Sequence, residues 1–119
     1  MAEKKVHRGG CHCGKVRFEV VGDMSKVIAC NCSICAKNGL WLTFVPAADF
    51  KLVSGETALK EYQFGKKQIH HLFCGECGVE SFGRGSAPDG SEMVAVNVRC
   101  LDGIDIAALE PAPFDGKSL

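Results

Sequence analysis

The 119-residue sequence predicts a mainly β fold: a single domain of small antiparallel sheets pinned by bound metal. Three observations carry that prediction. Apolar and polar residues alternate over short segments bounded by Gly and Pro. No segment holds a helical period over roughly 11 residues. And the cysteines bunch: Cys11-His-Cys13, Cys30-Asn-Cys-Ser-Ile-Cys35 and Cys74-Gly-Glu-Cys77 leave only Cys100 outside a tight cluster. A chain of this size has modest burial to set against its ordering entropy, so metal cross-links suit it.

The elements follow in order. Val16–Val21 alternates and reads as a strand between turns at Gly14 and Gly22-Asp23. Lys26–Cys30 is a second strand, delivering the Cys30 loop. Trp41–Val45 is a third, stopped by Pro46, and Ala47–Phe50 forms one short helical turn. Phe50–Val53, Leu59–Phe64, Gln68–Phe73 and Glu80–Gly83 are further strands, separated by Ser54-Gly55, Gly65 and the Cys74–Gly78 knuckle. Met93–Cys100 is the clearest strand of all, with Val94, Val96, Val98 and Cys100 on one face at period two and Gly103 at its end.

Composition excludes several function classes. Lys plus Arg (14) equal Asp plus Glu (14), so no net basic field draws the chain to nucleic acid or an anionic membrane surface. No apolar run reaches the roughly 20 residues of a membrane helix. The opening Met-Ala-Glu-Lys-Lys-Val-His-Arg has no apolar core of a secretory signal, and a cytoplasmic location is expected.

A reducing compartment argues against structural disulfides, and so does the bunching, since thiols at C-x-C spacing converge on one point. Convergent thiolates are what tetrahedral zinc needs, at Zn–S distances near ~2.3 Å. An iron–sulfur cluster and a redox-active Cys-x-x-Cys are the weaker alternatives. Cys100 continues a valine stripe and reads as a small buried hydrophobe rather than a ligand. The clustered thiols therefore divide four and three. Cys11, Cys13, Cys74 and Cys77 form two distant pairs that staple the start of the chain to its middle as a structural site. Cys30, Cys32 and Cys35 lie in one short loop that wraps a second metal and leaves its fourth position open, the feature that separates catalytic from structural zinc. Two zinc ions per chain are expected.

Other polar side chains carry plainer readings first. His12 points outward on a strand. His70 and His71 occupy adjacent strand positions, so one faces in and one out. Lys37 and Asn38 are solvated loop residues that are also placed to contact an anionic substrate. Arg99 points away from the valine stripe and is available to a carboxylate. Trp41 and Phe44 read as core.

The segments Gly9–Glu19, Cys30–Gly39, His71–Gly78 and Val94–Arg99 together resemble the glutathione-dependent formaldehyde-activating enzymes, a superfamily that includes centromere-protein-V-like proteins. The resemblance covers about residues 7–116, within one domain spanning 1–119. It rests on the combined order C-x-C, C-x-C-x-x-C, C-x-x-C. It implies a zinc-pinned β-tent, a structural zinc on Cys11, Cys13, Cys74 and Cys77, and an active-site zinc on Cys30, Cys32 and Cys35. It also implies the chemistry of joining formaldehyde to a glutathione thiol, formally a carbon–sulfur lyase in reverse. Heavy donation from three thiolates blunts the Lewis acidity of zinc and suits an incoming thiol better than hydroxide generation. The competing reading is a non-catalytic, zinc-stabilised binding or chaperone-like module of the same fold.

Overall fold

Short alternating segments become short strands in a computed structural model, which describes residues 5–22, 26–63, 69–87 and 89–115. In chain order the elements are β1 (Lys5–Gly10), β2 (Arg17–Gly22), β3 (Ile28–Cys30), α1 (Ser33–Asn38), β4 (Trp41–Pro46), β5 (Phe50–Ser54), β6 (Leu59–Tyr62), β7 (His70–Cys74), β8 (Glu80–Ser86), β9 (Glu92–Asn97) and β10 (Ala112–Phe114). The expected positions Asp23, Phe64, Gly65 and Gln68 lie outside the described residues. No helix among the described residues is long and apolar enough to cross a membrane.

Two sheets result. The smaller runs β1-β2-β5 and the larger runs β10-β3-β4-β9-β8-β7-β6. Every neighbouring pair is antiparallel except β10 and β3, which run parallel with Phe114 opposite Cys30. That pair makes the larger sheet mixed rather than antiparallel throughout.

Alternation decides what is buried. Phe18 and Val20 point inward from β2, and Val94 and Val96 from β9, where Val96 sits opposite Phe82 of β8. These residues join Val16, Val98 and Leu101 in one core. Three rings tie the sheets together: Phe50 of β5 lies 5.3 Å from Phe18 and 4.6 Å from Phe82, centroid to centroid. Burying each such side chain contributes roughly 1.5–3 kcal/mol.

Four elements depart from expectation, each for a physical reason. β9 ends at Asn97, not Cys100. The Asn97 side chain accepts the Arg99 N–H at 3.2 Å and donates to the Glu80 carbonyl at 3.0 Å, turning the chain into a 3-10 turn over Val98–Cys100. β1 carries charged and glycine residues yet pairs with β2 along its whole length, so tertiary pairing overrides weak local preference. α1 has only six residues, too few to show a period. β10 contains Pro113, which is tolerated because the strand lies at the sheet edge. The helical turn expected after Pro46 is present over Ala47–Asp49.

Candidate functional site

Two knuckles build the first cysteine cluster. The turn between β1 and β2 presents Cys11 and Cys13, and the Cys11 N–H donates to the Val16 carbonyl at 3.1 Å. Cys74 ends β7, and its knuckle is closed by the Gly78 N–H on the Cys74 carbonyl at 2.8 Å. The residue after the second cysteine of each pair is left-handed, with φ +85° at Gly14 and +82° at Gly78, a conformation glycine adopts without a Cβ clash. The four sulfurs lie within 4.8 Å of one another. Cys13 Sγ is 3.5 Å from Cys11 Sγ and 3.6 Å from Cys74 Sγ. Backbone amides already aim at the sulfurs: Val16 N–H donates to Cys11 Sγ at 3.3 Å and Glu76 N–H to Cys74 Sγ at 3.4 Å. The Val79 and Cys13 amides bring the Cys77 thiol down to about 6. At Cys13 the Lys15 amide pulls the other way, but burial and the three neighbouring thiols outweigh it and push the thiol up to about 11.

The second cluster is local. β3 ends at Cys30, Cys32 precedes the first residue of α1, and Cys35 sits within the helix with Leu40 and Leu42 in a small apolar cluster. The Cys32 N–H donates to Cys30 Sγ at 3.5 Å. The loop is propped from the far end of the chain: the Asn31 N–H donates to the Phe114 carbonyl at 3.1 Å, and Asn31 Nδ2 donates to Asp115 Oδ1 at 3.0 Å. Cys30, Cys32 and Cys35 hold their sulfurs within 4.8 Å of one another, and no fourth Cys, His, Asp or Glu joins them among the described residues. Burial pushes the Cys35 thiol up, and the thiols of Cys32 and Cys30 add to it. Burial also opposes ionisation at Cys32, but hydrogen bonds from the Cys35 amide and the neighbouring thiols bring it below its ordinary value.

Both donor sets fit a soft dication. Four ligands at ~2.3 Å from tetrahedral zinc are separated by roughly 3.8 Å, close to the 3.5 and 3.6 Å sulfur contacts of the first cluster. Thiols raised and lowered side by side are the electrostatic mark of several acids sharing one point, which a divalent cation relieves. Each cluster has the geometry to bind a metal ion.

Comparison with known proteins agrees. Residues 6–113 match the family model described as glutathione-dependent formaldehyde-activating enzyme. The chain belongs to that family. A crystal structure of a Rhodobacter sphaeroides protein is similar to it, with 30% sequence identity and a TM-score of 0.78 over 89% of this chain and 97% of that one.

Within this member of the glutathione-dependent formaldehyde-activating enzyme family, the remaining expected residues sort cleanly. Cys100 belongs to neither cluster; its thiol points to the Glu80 carbonyl at 3.9 Å, and burial pushes it up to about 11. His12 is exposed in a turn rather than on a strand. Arg99 stacks on Trp41, 4.1 Å from the ring centroid, which engages both side chains. Phe44 is exposed, not core. His71 faces in, and His70 faces out to Glu61. His71 Nδ1 lies 3.1 Å from Glu80 Oε2, while Glu80 Oε1 accepts from Asn38 Nδ2 at 3.4 Å. The buried Glu80 was not singled out from the sequence. Its signal was parity: Glu80 stands two residues before the buried Phe82 in the same strand.

Proposed function

We propose that the protein is a zinc-dependent carbon–sulfur lyase resembling S-(hydroxymethyl)glutathione synthase, joining a thiol such as glutathione to formaldehyde or a related small aldehyde. The observation that carries this reading is the contrast between the clusters: four convergent sulfurs in one, three in the other. The family described by glutathione and formaldehyde supports the substrate pair. Cys11, Cys13, Cys74 and Cys77 hold a structural zinc, and Cys30, Cys32 and Cys35 hold the reactive one. When bound there, zinc supplies a soft position at which a thiol ionises near neutral pH.

The chain's own residues set up that position. The backbone amide of Cys32, the turn of α1 and the Asn31 contacts to the C-terminal strand keep three sulfurs on one side. The addition needs no further reagent. The thiol sulfur forms a bond to the aldehyde carbon, the carbonyl π electrons move onto oxygen, and the proton lost by the thiol ends on that oxygen.

The test is cobalt substitution at both sites. Glutathione is expected to change the cobalt spectrum of the intact protein by adding a fourth sulfur, and to leave that of Cys32→Ser unchanged at the second site. An intact protein whose spectrum no cellular thiol changes refutes thiol coordination, and the binding-module reading then replaces it. Activity assays subtract the spontaneous reaction of thiol with formaldehyde in water.

A further inference from the structure

Between α1 and the β7–β8 knuckle lies an open cavity of about 500 Å³, within the roughly 300–1,000 Å³ typical of small-molecule sites. Its walls come from both cysteine clusters. Ile34 lines the cavity and also packs against the apolar group that contains Cys30, Cys32 and Cys35. On the opposite side Gly78 follows Cys77 directly, and Phe73 precedes Cys74. The cavity therefore adjoins the three-sulfur loop without using any of its sulfurs.

We propose that this cavity seats the body of the thiol cosubstrate and selects a peptide thiol bearing both an ammonium and a carboxylate. The inference rests on the reading that the three-cysteine loop takes the sulfur. Two charged groups carry it. Glu80 is a carboxylate only 9% exposed at the cavity wall, and its hydrogen bonds come from one neutral amide and one imidazole. A carboxylate accepts up to about four hydrogen bonds, so acceptor capacity remains towards the cavity, where a ligand ammonium or amide N–H fits. Lys37 lies in the last turn of α1, exposed, at the same wall. It offers a cation to a carboxylate at the mouth. Ile34, Phe73 and Tyr62 supply apolar surface between the two charges.

The reach is right as well. A tripeptide extends about 10 Å, comparable to the ~10–12 Å width of a helix with its side chains. A peptide thiol therefore spans from the cysteine loop around α1 to the Lys37 and Glu80 wall.

Binding of S-methylglutathione, measured by calorimetry on the zinc-loaded protein, tests the cavity without a free thiol. The wild-type protein is expected to bind it, and Lys37→Glu and Glu80→Gln each to raise Kd at least fivefold. Lys37 is exposed, so its variant keeps the test decisive if Glu80→Gln fails to fold. In the cobalt protein, glutathione is expected to saturate the spectral change at a concentration at least tenfold below 2-mercaptoethanol, with the gap shrinking in both variants. No S-methylglutathione binding, or equal saturation by the two thiols, overturns the cavity assignment while leaving thiol coordination intact. A silent cobalt spectrum with every thiol instead refutes the proposed reaction, and the S-methylglutathione titration still decides the cavity.

Discussion

Replacing both Cys74 and Cys77 by serine cuts the first cluster in half, so that no metal can join the two knuckles. Cys13 and Cys74 are 61 residues apart in sequence, and a cross-link closing such a loop stabilises the fold by about 4 kcal/mol on the chain-entropy relation. Cys74 is fully buried, so the serine hydroxyl adds a desolvation cost of roughly 1–3 kcal/mol. The sum, about 5–7 kcal/mol, rivals the total stability of many domains. At roughly 3–5 °C per kcal/mol for this chain length, the melting temperature falls by about 15–30 °C or the protein fails to fold. The comparison variant removes Cys30 and Cys35, which close a loop of only five residues by sequence separation, worth about 2 kcal/mol on the same relation. Thermal melts by circular dichroism, with zinc determined on the same samples, read both. A Cys30/Cys35 variant that melts as low as the Cys74/Cys77 variant refutes the division into structural and open sites.

Three further outcomes are expected. Cys100→Ser keeps the full zinc content and loses at most about 1–3 kcal/mol, because the hydroxyl lies where the thiol met the Glu80 carbonyl; its thiol, pushed up to about 11 by burial, is also the slowest to alkylate at pH 8 in the metal-free protein. Asn31→Ala removes the bond to Asp115 and is expected to let a chelator strip the second cluster several-fold sooner while the first is unaffected, as read by stepwise zinc release. The Asp102 carboxyl is held below its ordinary value by Arg17, so the pair's contribution is complete above the ordinary carboxylate pKa of about 3.9 and is lost as pH falls through the lower folded value. Both side chains are more than a third exposed or close to it, which limits the effect to about 1 kcal/mol or less, and urea melts of Asp102→Asn between pH 2 and 7 are expected to lose that small acid-side slope.

How far the fold was legible depends on the range of the signal. Strands whose inward face is apolar announced themselves: Phe18 and Val20, or Val94 and Val96, alternate because one face meets the core. β1 and β10 did not, because pairing with β2 and with β3 holds them rather than their own apolar content. α1 was invisible to a period search, since six residues make fewer than two turns. The end of β9 turned on one side chain. Asn97 accepts from the backbone two residues ahead, a competition with the ladder that a run of valines on either side conceals.

The metal ligands were more legible than their surroundings, for a reason of chemistry. Thiolates gather only where something holds them, so their spacing alone separates the distant pairs from the local triad, and the sulfurs converge in that grouping. The groups beside them obey no such rule. Glu80 joins the cavity only because β8 follows the knuckle, β7 offers His71, and the last residue of α1 brings Asn38 within reach. Three elements from separate parts of the chain must fold before that carboxylate has a role. The placement also makes the first cluster more than a staple. By fixing the β7–β8 knuckle it sets the wall against which α1 and its two cysteine-bearing ends are arranged, so the open cluster inherits its surroundings from the closed one.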